Sequence, residues 1–154
     1  MTVKRFRGFT LVEILIVVVI MAVLAAVVIP QFSSSTDDAK RSTGEFNVST
    51  LRSIIQAYKG QHRDTNPAFD STNNTLSVLI NKTKADGTID NTDGTYGPYL
   101  VEFPENPYTG VNTVKVITSN PAGVSDVTAG NAGGWLYNAT TGNIWLDSDP
   151  GYTY

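Results

Sequence analysis

The sequence predicts an α+β chain: one long N-terminal helix packed on a small antiparallel sheet near the C-terminal end. Three observations predict it. An uncharged apolar run from Ile14 to Ile29 follows a short basic leader and ends at Pro30. Beyond it, Val48, Leu51, Ile54, Ile55 and Tyr58 recur at the i, i+3, i+4 spacing of one helix face. Near the end, two short aromatic and β-branched segments flank Ala139-Thr140-Thr141-Gly142, the pattern of a β-hairpin.

The first half of the helix is written for lipid. Lys4, Arg5 and Arg7 precede Gly8, and Phe9 opens a stretch whose single charge is Glu13. A helix rises ~1.5 Å per residue, so the roughly 21 residues from Phe9 to Ile29 reach about 30 Å, one hydrocarbon thickness. A carboxylate in such a span is expensive and marks function. Cations beside a span stay cytoplasmic, which sends the C-terminal part outward. A secretory signal has an apolar core of ~7–15 residues, and here the run continues past Ala22, Ala25 and Ala26. A plain signal anchor accounts for the leader and the length, but not for Glu13 or Gly8-Phe9.

Lys4-Arg-Phe-Arg-Gly-Phe-Thr-Leu-Val-Glu13 resembles the processing site of the type IV pilin and type II secretion pseudopilin superfamily. The match is strong from Lys4 to Phe32 and looser beyond. It implies a leader, 1–8, removed by a membrane aspartic peptidase between Gly8 and Phe9, with N-methylation of Phe9. It implies a transmembrane and polymerisation helix, 9–30, and a periplasmic or extracellular globular domain, 31–154, carried by a bacterial inner membrane. It implies that Glu13 directs assembly, neutralised by the amine of Phe9 on a neighbouring or the same subunit. The implied function is structural: a type II secretion pseudopilin of the major kind, polymerised into a filament that drives folded proteins outward. The implied partners are further copies of the chain, the prepilin peptidase, the inner-membrane secretion platform, minor pseudopilins and the membrane. A type IV pilin for adhesion, motility or DNA uptake is the alternative within the superfamily. A membrane-anchored binding or enzyme domain is the alternative of another class. Many pilins close a C-terminal disulfide loop, and a chain with no cysteine leans towards the pseudopilin.

After Pro30, where a kink or break is expected, the amphipathic half resumes. Ala39 and Phe46 extend its apolar face upstream, and Gly60 is a stop. Residues 61–74 read as loop, with His62 in solvent. Thr75–Lys82 reads as a short second helix capped by Asn74 or Thr75, with Leu76, Leu79 and Ile80 on one side. Asp86-Gly87 and Asp93-Gly94 read as turns. Prolines 98, 104 and 107 make residues 96–110 a rigid connector anchored by Tyr99, Leu100, Phe103 and Tyr108. Residues 112–118, 134–138 and 143–147 read as strands, with Trp135 and Tyr137 sharing one face and Ile144 and Leu146 one face of the partner. Aromatics in so small a sheet are expected in the core rather than on a carbohydrate platform.

Composition narrows the function further. Three of the 11 basic residues and none of the 14 acidic ones precede Phe9, so cleavage leaves 8 against 14, a net of −6. An acidic chain is a poor partner for nucleic acid. Without cysteine there is no thiol chemistry, and no histidine, serine or glycine-rich pattern builds a catalytic site, so no enzyme is expected. The resemblance also implies a Ca²⁺ site in the C-terminal loop. Asp147 and Asp149 are the carboxylates available to it, with Asp126 a distant third.

Overall fold

The computed structural model describes residues 8–154, without the side chains of residues 27–34. The chain forms two compact units, one reaching Ala39 and one from Lys40 to Tyr154. Helix α1 spans Leu11–Gln61 and enters both. The chain therefore does not break at Pro30. Proline removes one ladder bond, and the turns on either side continue the helix. Among the described residues no helix is long and apolar enough to cross a membrane. The apolar run read from the sequence extends through Val27, Val28 and Ile29, whose side chains lie outside that set.

In the second unit, α1 buries Gly44, Val48, Leu51, Ile55 and Tyr58, and His62, one residue past its end, is buried in line with them. These alternate by four and three residues, the spacing of one continuous helix stripe. Phe46 stands outside it and is 70 % exposed, contrary to the sequence reading. Two residues beyond Gly44, it is rotated well off the stripe, and glycine takes the place where the helix approaches Leu146 most closely.

The rest of the core comes from short elements. Helix α2 is only Ser77–Ile80, shorter than expected and without a side-chain cap. The predicted cap Asn74 adopts a left-handed backbone, and Thr75 pairs with Asp70 in an isolated bridge. Strands β1 (Val114–Val116), β2 (Trp135–Asn138) and β3 (Asn143–Leu146) form one sheet in the order β1-β2-β3. The β2–β3 hairpin is antiparallel, with Trp135 opposite Leu146 and Tyr137 opposite Ile144. The sheet as a whole is mixed, which corrects the antiparallel expectation: β1 pairs with β2 in parallel, Val114 opposite Trp135. The segment 117–134 between them is long enough for the crossover that a parallel pair requires.

Both faces of the hairpin are covered. Trp135, Tyr137, Ile144 and Leu146 join Leu51, Ile55, Tyr58, Leu76, Leu79 and Phe103 in the main core. Leu136 and Trp145 face the other way and pack on Ile117 and Ala122. Full burial of each aliphatic side chain contributes about 1.5–3 kcal/mol before entropy is counted. The aromatic polar ends are satisfied: Trp135 Nε1 donates to the Pro104 carbonyl at 2.8 Å and the Tyr137 hydroxyl to the Pro67 carbonyl at 2.9 Å.

Candidate functional site

The N-terminal segment was singled out for Gly8, Phe9 and Glu13. Gly8 is exposed, and a Cβ added there meets nothing within 4 Å. Among the described residues nothing around it requires a glycine. Phe9 follows, 83 % exposed.

Glu13 sits in the first turn of α1. Its Oε2 accepts from the Thr10 backbone N–H at 2.7 Å and from the Thr10 hydroxyl at 2.8 Å. The Thr10 hydroxyl in turn accepts from the Glu13 N–H at 3.2 Å. This is a reciprocal capping box, threonine before the first helical residue and glutamate three residues on. The sequence reading missed it, although Thr10-Leu-Val-Glu13 spells the signal. Glu13 thus has a local task in the single chain: it satisfies backbone donors that the helix start leaves open, and its charge complements the helix dipole.

Past the cap the helix is apolar on every side. All residues from Leu11 to Ala26 are exposed, including Ile14, Ile16, Val18, Ile20 and Leu24 at more than half of their surface. A helix with no polar face has no stable position in water. It needs lipid or other helices around it.

The proposed calcium carboxylates are not brought together. Asp147 is buried, with Oδ1 accepting from the Thr128 N–H and Oδ2 from the Thr128 hydroxyl, both at 2.6 Å. Its carboxylate lies against Gly133, where any side chain would take its place. Asp149 is exposed. Asp126 accepts from the Ser119 hydroxyl and the Gly123 N–H, and these bonds hold its carboxyl below the ordinary range. Among the described residues no group of three or more histidine, cysteine or acidic side chains could hold a metal ion. The donor set therefore does not fit a preformed Ca²⁺ site, which takes six to eight oxygens.

His62 is not in solvent. It is 1 % exposed and stacked on Tyr58 at 3.8 Å between ring centroids. Nδ1 lies 2.8 Å from the Tyr58 carbonyl, an acceptor, so it carries the proton. Nε2 then accepts from the Thr83 hydroxyl at 2.9 Å. Nδ1 is thus tied back to α1 and Nε2 holds Thr83 to the end of that helix, so both ring nitrogens have partners within the fold. Its place four residues after Tyr58 on the buried stripe was the available signal.

Comparison with known proteins addresses the same segment. The family model for the prokaryotic N-terminal methylation motif matches residues 3–29. The type II secretion system core protein G of Pseudomonas aeruginosa is 34 % identical over 107 residues, covering 68 % of this chain and 70 % of that protein. The chain belongs to the type II secretion system core protein G family. The core protein G of Klebsiella michiganensis is 32 % identical over 107 residues, covering 68 % of this chain and 69 % of its own length. That of Vibrio cholerae is 25 % identical over 144 residues, covering 91 % and 92 %. No solved structure matches the chain. Core protein G is the major pseudopilin, a structural subunit and not an enzyme. The capped, all-apolar helix start is thus the methylation-motif segment of a pseudopilin.

Proposed function

We propose that this pseudopilin is cut between Gly8 and Phe9, methylated on Phe9, anchored in the inner membrane by 9–30, and polymerised into a type II secretion filament. Its domain 31–154 then stands on the periplasmic side. The prepilin peptidase, the assembly platform and minor pseudopilins are its partners in this reading. The observation that carries it is the apolar helix exposed on every side, directly behind Gly8-Phe9 and headed by Glu13.

In lipid that helix is solvated by acyl chains. In a filament it exchanges them for the helices of other copies. Glu13 makes the exchange selective, because an unpaired carboxylate is costly in a dry bundle. Cleavage supplies the compensating charge: it exposes the amine of Phe9, of a class largely protonated at neutral pH. Pairing of Glu13 with that amine, on a neighbouring or the same subunit, fixes the register of each incoming helix.

Two measurements test this. Intact mass of the membrane-extracted chain is expected to begin at methylated Phe9, and Gly8→Val is expected to retain the leader. A mature start elsewhere would sink the processing reading. Filament yield then separates the two tasks of Glu13. Glu13→Ala removes both cap and charge. Glu13→Gln keeps a capping side chain and removes only the charge. Both are expected to insert, to be processed, and to lose most sheared filaments. Wild-type yield from Glu13→Gln would leave capping as the task of Glu13 and overturn the charge pair.

A further inference from the structure

Phe46 stands on α1 within the second unit and is 70 % exposed. It lies about 200° around the helix from Gly44, on the side away from the buried stripe. Its helical neighbours Ser42, Thr43, Ser49 and Thr50 are polar, so it is an isolated apolar knob. A scattered exposed apolar residue is ordinary on a protein surface. This one differs because the same helix also borders a hole.

Beside the C-terminal turn, α1 and residues 153–154 line an open groove of about 660 Å³, with Arg41, Glu45, Val48, Arg52 and Tyr154 among its walls. Its charges are engaged within the chain. Arg41 pairs with Glu45 at 2.9 Å. Arg52 gives Nη2 to the Ile144 carbonyl at 3.1 Å and to the main-chain oxygen of Tyr154, the last residue of the sequence, at 2.6 Å. The groove therefore does not select for an ion. Its apolar surface comes from Val48, the Tyr154 ring and the alkyl stems of the two arginines. In-plane hydrogen bonds leave the flat faces of a guanidinium open, and such faces stack on aromatic rings. Arg41 already lies 5.9 Å from the centre of the Tyr154 ring. A further aromatic side chain fits this chemistry and strands no charge.

We propose that Phe46 of one copy enters the Arg41–Arg52–Tyr154 groove of the next, an aromatic contact between neighbouring subunits of the filament. The proposal rests on the filament reading above and adds a contact to it outside the apolar segment. Phe46 and the groove both belong to the unit Lys40–Tyr154. Copies anchored in one membrane run parallel. Phe46 precedes the groove residues Ser49 and Ser53 by three and seven positions. A displacement of about 4.5–10.5 Å along the helix therefore brings it level with the groove of the next copy. Knob and hole are different patches, so the contact is heterologous. Repeated with an axial step it does not close on itself, and an open helical filament results. Burial of a phenylalanine takes about 150–250 Å² out of water at each such contact.

Photo-cross-linking tests the contact directly. Full chains carrying p-benzoylphenylalanine in place of Phe46 are assembled with the secretion machinery, irradiated, and the sheared filaments separated by size. Covalent multimers are expected, with position 46 joined to residues 41–56 or 153–154 of another copy. The same photoprobe in place of Val101, itself 99 % exposed, is expected to reach none of those residues. Substitutions supply a second arm. Phe46→Ala removes the knob and Ser49→Trp fills the groove, both at exposed positions. Each is expected to keep the wild-type urea midpoint and level of processed subunit while lowering filament yield at least fivefold. Both remove one and the same contact, so the double variant is expected to be no worse than either alone. Wild-type yield from Phe46→Ala, losses that multiply in the double variant, or cross-links from position 46 only to the apolar segment or to a different protein would overturn the groove contact alone. A wild-type chain that forms no filament would overturn the filament reading and this contact with it.

Discussion

Single carboxylates hold the loops of this domain, and they do so as acceptors of local hydrogen bonds. Asp70 takes the Ser77 hydroxyl at 2.5 Å, the Asn73 side-chain amide at 2.7 Å and the Thr72 N–H at 2.9 Å. Those bonds, the Ser77 hydroxyl foremost, lower its pKa from the ordinary 3.8 to about 2. Asp90 takes the Asp93 and Thr92 N–H groups and the Lys84 ammonium, and is lowered likewise to about 2. A carboxyl lowered on folding adds stability that is fully present above its unfolded value and is lost as pH falls through the folded one. The loss is therefore expected between pH 3.8 and about 2. Denaturant unfolding followed by tryptophan fluorescence should show Asp70→Asn less stable than wild type at pH 5, with the gap closing towards pH 2. A gap independent of pH would show that the carboxylate charge is not the source. None of this was legible beforehand. An Asp-Ser-Thr-Asn run reads as a turn, but which donors the carboxylate collects depends on where Ser77 arrives. His62 was misread for a related reason: residue type suggested solvent, whereas its position four residues past Tyr58 placed it on the buried stripe.

At the scale of elements, periodicity carried most of the fold. The stripe Val48, Leu51, Ile55, Tyr58 was legible because helix spacing is a property of neighbours in sequence. So was the hairpin, whose two strands are joined by a four-residue turn closed by Gly142 at φ 78°. The parallel partner β1 was not legible. Its three residues carry no directional signal, and only the path of the 117–134 crossover decides which way β2 runs against it. Glycine was also undervalued as a contact residue. A Cβ on Gly44 stands 2.8 Å from Leu146 Cδ1 and 3.5 Å from Tyr154 Cε2. Gly44→Leu is accordingly expected to cost about 1–3 kcal/mol by overpacking. Phe46→Ala, two residues away on the open side, should stay within about 0.5 kcal/mol. Urea midpoints of the two variants check this. A harmless Gly44→Leu would mean that α1 is free to shift away from the hairpin.

At the scale of the whole molecule, the short N-terminal motif was read correctly because its residues act in register along one stretch of chain. Family membership rests on that stretch together with the similarity that continues beyond it. The calcium expectation shows the opposite case. Asp147 and Asp149 are two residues apart just past the end of β3, yet one is buried on Thr128 and the other is exposed. The C-terminal loop is already fastened by Asp147, by the buried Asn106 amide donating to the Gly134 carbonyl at 2.9 Å, and by Arg52. Melting temperature is therefore expected to be the same in excess Ca²⁺ and in chelator. A rise of several degrees in Ca²⁺ would show that exposed oxygens are recruited around the ion.

The pairing of α1 with the β2–β3 hairpin also sets an order of events during export. Leu51 and Ile55 join one core with Ile144 and Leu146, some ninety residues later. Contacts of such separation close late, after the entropy of the long intervening loop has been overcome. In the proposed topology the leader stays on the cytoplasmic side and the domain crosses from residue 31 onwards, so the apolar stripe of α1 has no cover until residues 135–146 have emerged. Translocation is thus nearly complete before the domain can lock. An interrupted transfer leaves an open, protease-sensitive chain rather than a folded plug.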